Sequence, residues 1–351
     1  MANCRIFVYV SHAGGAEGGE IRVLQLDPDN GEVTPVQKFP IVGTPMSIAV
    51  SPDFRFLHVA LRSQPYLVAS FAVDSLNGKL THLSNAPLPH SMAYISTDRT
   101  GRYLLGSSTP TPLEKARPRS SLISVSSIGP NGFVQPAHQI VRTEPKAHAI
   151  LPDPANRHVL VTCCDGDVIL RQVFDSVNGT FSPNPLPPVR TKPNAGPRHL
   201  IFHPNHRRVY MLTEPGAWVY VYDYDAGMGA LNELQIASAA QAGFDGKPHG
   251  ADIHLTPDGR FLYVSERASH TLAAFKVDLS SGLLTHIENF PTEKYPRSFA
   301  IDPYGRYLLA VGYQSDSMTI YRIDSGSGHL EKRKEYQMGK NPHWIEIVRL
   351  P

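Results

Sequence analysis

The stretches DSLNGKLTHL, at residues 74–83, and DLSSGLLTHI, at 278–287, are the same phrase written twice. Asp-x-x-x-Gly followed by apolar residues in alternation is the requirement of a β-hairpin, so one copy says little. Spacing decides the matter. The pattern stands at 27–31, 74–78, 175–179, 225–229, 278–282 and 324–328, with a degenerate seventh copy, IGPNG, at 128–132. Successive copies begin 47, 54, 47, 50, 53 and 46 residues apart. Seven units of about 50 residues in a chain of 351 suit four-stranded propeller blades.

A second phrase precedes each hairpin: an apolar run, a Pro-Asp-Gly-Arg-like turn, and another apolar run. It reads IAVSPDFRFLHVAL from Ile48, YISTDRTGRYLLGS from Tyr94, ILPDPANRHVLVTC from Ile150, IFHPNHRRVYMLTE from Ile201, IHLTPDGRFLYVSE from Ile253 and AIDPYGRYLLAVGY from Ala300. Each is strand, tight turn, strand. With the hairpin it makes four antiparallel strands per unit, a to d from the inside of the ring outward. The termini supply the seventh unit, because NPHWIEIVRLP at the end reads as a strand a with no b, and NCRIFVYVSH at the start as a b with no a. Pairing the chain ends removes open sheet edges. The expectation is an all-β, seven-bladed β-propeller spanning 1–351 as one domain, with its composite blade drawn from residues near 1–37 and 342–350.

Composition excludes several function classes. A formal net charge of +2 with dispersed basic residues leaves no footprint for nucleic acid. No secretory leader pattern and no run of about 18 apolar residues occurs, which points to a cytoplasmic protein with no membrane partner. Cys4, Cys163 and Cys164 match neither a metal spacing nor a disulfide framework. The chain has no Gly-x-Ser-x-Gly, P-loop or His-Glu-x-x-His, and the glycine-rich AGGAEGG at 13–19 lacks the strand-to-helix setting of a dinucleotide site. No cofactor and no metal are expected. A monomer or weak homo-oligomer is the expected assembly.

Aligning the units on the turn (Pro52, Thr97, Pro154, Pro204, Pro257, Pro303) turns the repeat into a ring. Six residues earlier, where strand a begins, stand Met46, Ser91, His148, Arg198, Ala251 and Arg297, with His343 from the closing blade. Ten residues later, where strand b ends, stand Arg62, Ser107, Cys164, Glu214, Arg267 and Tyr313, with His12 from the first strand. Antiparallel strands put both sets on one face, so Arg62, Arg198, Arg267, Arg297, Glu214, His12, His148 and His343 are expected around one pocket. Singly, a strand-end His is a structural hydrogen-bonding group in most proteins and an Arg is usually solvated. Several guanidiniums facing one cavity repel each other unless an anion sits between them, which points to a small anionic ligand. Arg102, Arg157, Arg208, Arg260 and Arg306 occupy the turns and are expected on the opposite rim or in packing roles. The Pro-rich STPTPLEKARPRSS, at 108–121, reads either as a lid carrying Lys115, Arg117 or Arg119 or as a solvated loop.

At GPRHLIFHPN, ADIHLTPDGRFLYVSER and YPRSFAIDPYGRYLLAVG the chain resembles the lactonase family of seven-bladed propellers. That family includes cycloisomerase-type 6-phosphogluconolactonases and fungal 3-carboxy-cis,cis-muconate lactonizing enzymes. The resemblance implies a metal-independent lactonase with His148 (KAHAI), Arg198 (GPRH), Glu214 (MLTE) and Arg267 (SER) as catalytic group and Arg297 (YPRS) in the pocket, where the aligned repeat also puts Arg62, His343 and His12 as substrate-binding candidates. It implies hydrolysis of 6-phosphoglucono-1,5-lactone, with His148 or Glu214 activating water, or alternatively muconate lactonization on nearly the same residues. A propeller that only binds a protein or an anion is the alternative from another class, since fold does not fix function.

Overall fold

The computed structural model describes residues 5–15, 18–109 and 121–351. Its strands form seven antiparallel sheets, and the innermost strands contact one another in succession until the ring closes. This is the expected seven-bladed β-propeller. Blade 1 is the composite: strand a is Pro342–Leu350, and b, c and d are Arg5–Gly15, Gly18–Leu26 and Val33–Ile41. Its seam runs antiparallel from Arg5 opposite Leu350 to His12 opposite Pro342. The other blades open with strands a at Pro45–Val50, Met92–Thr97, Ala147–Pro152, Pro197–Phe202, Gly250–Leu255 and Pro296–Ile301. Residues 110–120, with Lys115, Arg117 and Arg119, lie outside the described residues, as does Cys4.

The structure explains why the chain repeats Asp-x-x-x-Gly. Each hairpin glycine reaches back to strand b of the preceding blade and sits directly on a large side chain near its start. A Cβ at Gly78 would overlap Phe7, and one at Gly132, Gly179, Gly328 or Gly31 would overlap Phe56, Tyr103, Phe261 or Tyr307. At Gly229 and Gly282 the neighbours are His158 and Arg208, 2.8 and 2.7 Å from the same point. All seven glycines have positive φ, between 65° and 81°. Neither the conformation nor the space admits a side chain.

The turn arginines complete this seam, as packing groups on the rim away from the strand-a starts. Arg157, Arg208 and Arg260 donate to the backbone carbonyls of Ala226, Ser281 and Ser325 in the next blade's hairpin, at 3.0, 2.8 and 2.8 Å. Arg102 donates to Ser176 in the same way, and Arg306 lies 3.8 Å from Asp29. Between blades the apolar faces interlock, for example Phe7, Tyr9 and Ile21 of blade 1 against Leu57, Val59 and Phe71 of blade 2. The core is thus a set of inter-blade layers arranged around an axis.

These contacts predict a graded cost for glycine substitution. Gly328→Ala combines a left-handed backbone with overlap on the Phe261 ring, about 2–4 kcal/mol in all. Gly243→Ala has a similar φ of 74° but nothing within 4 Å, so it bears only the backbone part, about 1–2 kcal/mol. Urea midpoints of the two variants check this, and equal costs would show that the seam contact contributes nothing.

Candidate active site

Every strand a of blades 2 to 7 carries a β-bulge near its start. In blade 5 Pro197 pairs with Thr213 and His199 with Leu212, leaving Arg198 as the extra residue. In blade 4 Ala147 pairs with Cys163 and Ala149 with Thr162, leaving His148. Arg297 is left over in the same way between Pro296 and Ser298. A bulge breaks the alternation of a strand, so two successive residues can face the same side. Here the first joins a charged ring at the mouth of the axis and the second joins a floor beneath it.

The ring collects seven of the eight expected residues. Glu214 lies at its centre, accepting hydrogen bonds from Lys146 Nζ, from Arg267 Nη2 at 3.0 Å and from His249 Nε2 at 3.2 Å. Arg267 also donates to the Gly250 carbonyl at 2.7 Å and lies over the Tyr295 ring at 5.4 Å. Arg198 is buried and donates to the Ala251 carbonyl, while its Nε has no hydrogen-bond partner among the described residues. Arg297 Nε donates to His343 Nε2 at 2.6 Å. Arg62 donates to Ser91 at 2.6 Å and to Thr109 Oγ1 at 3.0 Å. The four guanidiniums and His343 lie close enough to act on one another electrostatically.

His12 does not join them. It stands opposite Pro342, the register position that Gly312 and Thr213 hold in their own blades opposite Pro296 and Pro197. The residues matching Glu214 and Tyr313 come one step later, so Ala13 is the true counterpart, and its N–H bonds the Asn341 carbonyl at 3.0 Å. A one-residue slip turns a side chain to the other face of its strand. His12 therefore lines a separate crevice with Glu20, Arg22, Lys38 and Asp316, and burial together with Arg22 lowers its pKa to about 4.

Blade 3 also departs from the alignment, by two residues. Asp98 accepts the backbone N–H groups of Arg102 and Tyr103, as Asp153 accepts those of Arg157 and His158 and Asp302 those of Arg306 and Tyr307. Those aspartates mark the true turn position. Ala93 and Thr109, not Ser91 and Ser107, are then the ring members.

The alignment missed three residues that close over the ring from two positions upstream of it: Lys146, His249 and Tyr295. Lys146 and Tyr295 hold positive φ, 59° and 58°, a backbone strain that directs them at the site. It also missed the floor. Tyr94, His199 and Trp344 come from blades 3, 5 and 1 yet touch, with ring centroids 5.1 to 5.7 Å apart, so they plug the axis below the ring. Asp252 lies among them, bonded to His199 Nδ1 and Ser298 Oγ, both at 2.8 Å. Below the plug Glu346 accepts from Trp344 Nε1 at 2.8 Å, and burial raises its pKa to about 7. One position beyond the aligned ring residues stand His199, Asp252, Ser298 and Trp344, while Tyr94 falls into the same layer only once blade 3 is counted from Asp98.

The electrostatics separate the titratable groups. Burial, then Arg267, pushes Arg198 down to about 10, and burial, then Arg198 and Arg267, pushes Arg297 down to about 9. Both remain cations at neutral pH. Burial would raise the Glu214 carboxyl, but His249, Arg198, His148 and Lys146 outweigh it and hold it far below the usual range. Burial and Arg198 hold His148 well below its ordinary value, and burial and Arg297 do the same to His343. The site is a permanent carboxylate and two neutral imidazoles among cations. Among the described residues no group of three or more His, Cys, Asp or Glu is arranged to hold a metal.

Residues 7–347 match the family model described as "Lactonase, 7-bladed beta-propeller". The chain belongs to this lactonase family. It is 35% identical over 341 residues to a 6-phosphogluconolactonase of Yersinia pseudotuberculosis serotype O:3, covering 97% of each chain. A 6-phosphogluconolactonase of Pectobacterium carotovorum is 35% identical over 343 residues, with 97% of this chain and 99% of the relative covered. Among solved structures, the periplasmic gluconolactonase of Pseudomonas aeruginosa superposes with a TM-score of 0.89 at 25% identity, covering 99% of this chain and all of that one. Among the described residues of this lactonase-family chain no helix is long and apolar enough to cross a membrane.

Acid should loosen this fold early. His12, His58 and His199 have pKa values lowered to about 4 by burial, and His148 and His343 are also held low, while His254, against its burial, is raised by Asp252. The unfolded chain takes up protons near pH 6.5 that the folded chain refuses, so this stability is complete above pH 6.5 and lost as pH falls toward 4. Thermal melting should drop by at least about 3 °C between pH 7.5 and pH 5. A flat profile across that range would mean the histidines are not held neutral.

Proposed function

We propose that the protein is a 6-phosphogluconolactonase, hydrolysing 6-phosphoglucono-1,5-lactone to 6-phosphogluconate in the ring pocket. The observation that carries this reading is four guanidiniums within electrostatic reach of one another, with Glu214 beside them already engaged by Lys146, His249 and Arg267. Such a surplus of buried positive charge favours a dianionic guest. The similarity to 6-phosphogluconolactonases over 97% of the chain supports the same substrate. A phosphorylated sugar does not cross membranes unaided, which favours a cytoplasmic site of action, and a small anion rather than a nucleic acid or a membrane is the partner.

In this reading His148 is the base. It is neutral at working pH and so carries a lone pair. Glu214 is ionised too, but three donors and the surrounding cations make it a poor proton acceptor, and its role is to hold Lys146 and Arg267 in place. Water attacks the lactone carbonyl carbon as His148 takes its proton. Arg198 stabilises the oxyanion. Collapse breaks the bond to the ring oxygen, and the His148 imidazolium returns the proton to that oxygen. Arg267 and Arg297, with Arg62 and His343 behind them, hold the phosphate, and no step uses a metal.

Hydrolysis of freshly generated 6-phosphoglucono-1,5-lactone, followed at constant pH with the spontaneous rate subtracted, tests the reading. Arg198→Ala should lower kcat/KM by about 100-fold or more. Arg297→Ala should weaken the phosphorylated lactone's kcat/KM by at least about 10-fold while altering that of unphosphorylated glucono-1,5-lactone by less than about 3-fold. Wild-type protein that leaves the lactone at the spontaneous rate but cyclises 3-carboxy-cis,cis-muconate would replace this reading with the muconate one. Inertness toward both would leave a binding propeller.

A further inference from the structure

Two buried nitrogens at the ring–floor boundary have no hydrogen-bond partner among the described residues: Nδ1 of His148 and Nε2 of His199. Their rings are in contact, with centroids 5.1 Å apart and planes at 62°. Orphaned buried ring nitrogens are costly, and two on rings in contact are relieved together if they come within reach with a proton on one and a lone pair on the other. Which is which is decided further along the floor.

Asp252 is buried, and its carboxylate is engaged on every side. Oδ1 accepts from His199 Nδ1 at 2.8 Å and from the Ile253 N–H at 3.0 Å, while Oδ2 accepts from Ser298 Oγ at 2.8 Å and lies 3.4 Å from His254 Nε2. Burial opposes ionisation there, but His254 and His199 hold the carboxyl well below its usual range, so it is an acceptor only. The proton of neutral His199 must then sit on Nδ1, which leaves a lone pair on Nε2. A lone pair on His199 Nε2 in turn favours a proton on His148 Nδ1. That places the lone pair of His148 on Nε2.

We propose that Asp252 and His199 are positioning residues forming a relay, Asp252 Oδ1···H–Nδ1 His199 Nε2···H–Nδ1 His148, that fixes His148 in the tautomer whose Nε2 can take a proton. The second contact is not made in the structure, where both nitrogens are unpartnered and closed to water, and it forms on a small rotation of the His148 ring. This rests on the reading of His148 as the base. The relay also answers a weakness of that base. His148 faces Arg198, His199, Glu214 and Lys146, and His199 faces Arg198, Asp252 and His254 beside Tyr94 and Trp344. Of these only Glu214 and Asp252 favour an imidazolium, and Glu214 is engaged by three donors. Asp252, with Glu346 and Tyr94 as its other titratable neighbours, supplies the remaining negative charge behind the base.

The test needs no substrate at first. Nitrogen-15 NMR of the imidazoles should show His148 with a protonated Nδ1 and an unprotonated Nε2. In His199→Phe, which keeps an aromatic ring against Tyr94 and Trp344, that pattern should become mixed or reverse. Asp252→Asn, a second variant of the same shape, removes the charge and should move the acid limb of kcat/KM to lower pH. In both variants kcat on the phosphorylated lactone should fall about 10- to 100-fold with KM changed less than about 3-fold. A wild-type His148 protonated on Nε2, or a pattern unchanged in His199→Phe, overturns the relay. An inactive wild type with the expected tautomer would sustain the relay while overturning the lactonase reading.

Discussion

The structure depends on one contact made seven times: a left-handed glycine of one blade seated on a large side chain near the start of strand b in the blade before it. This contact sets how closely successive sheets approach and where they stop along the strand direction. Tyr9, Tyr210 and Tyr263, two residues further along their strands than Phe7, Arg208 and Phe261, donate to the carbonyls of Gly78, Gly282 and Gly328 at 2.8 to 2.9 Å. Each glycine is therefore clamped through its missing side chain and, at these three blades, through its carbonyl as well. Gly31 meets Tyr307 across the junction between the last blade and the first. Closure thus uses the same contact as every other interface, and the terminal seam inside blade 1 adds a sheet's worth of hydrogen bonds to it.

Regular seams at the outer rim make an irregular axis tolerable. The bulges interrupt hydrogen-bond pairing at the start of the strands nearest the centre and so remove local stability where the side chains are most polar. Arg198 and Arg297 sit in that stretch at depressed pKa, and Lys146 and Tyr295 adopt backbone conformations that non-glycine residues avoid. None of these features helps the fold. They persist because the inter-blade layers around them are apolar and continuous, and strain concentrated in a small region that the surroundings over-determine is a mark of function.

The repeat was legible because its two phrases are imposed by backbone geometry, which tolerates few residue types. Asp-x-x-x-Gly could be read blade by blade for that reason, and the closing blade followed from two unmatched strands. The ring was legible where the turn was well marked: Pro154, Pro204, Pro257 and Pro303 each follow the residue whose side chain caps the turn, and His148, Arg198, Glu214, Arg267 and Arg297 fell where expected. In YISTDRTGR the capping Asp98 is followed by Arg99 instead of proline, so an alignment on Thr97 is displaced by two. Slipping by two keeps the face and changes the depth. His12 slipped by one, because the first strand has no preceding turn to count from, and that changes the face. Lys146, His249, Asp252 and His199 escaped notice for another reason. Their significance lies in contacts between blades, and a register read along one strand does not report which side chains meet across the axis.

The same across-axis contacts explain how a neutral histidine persists beside arginines. A cationic ring lowers the basicity of any imidazole in it, so a site that binds an anion tightly weakens its own base. The bulge resolves this conflict by giving each strand two inward residues at different depths. Arg198 serves the ring while the adjacent His199 serves the floor, and Ala251 leaves the ring open while the adjacent Asp252 carries the floor's negative charge. His148 lies at the junction, in contact with both layers. A bound dianion would shift this balance further: its charge offsets the guanidiniums and raises the basicity of His148 when substrate is present. On the proposed reading of His148 as the base, it is then strongest in the complex and weakest in the empty site, where a stronger one would hold its proton.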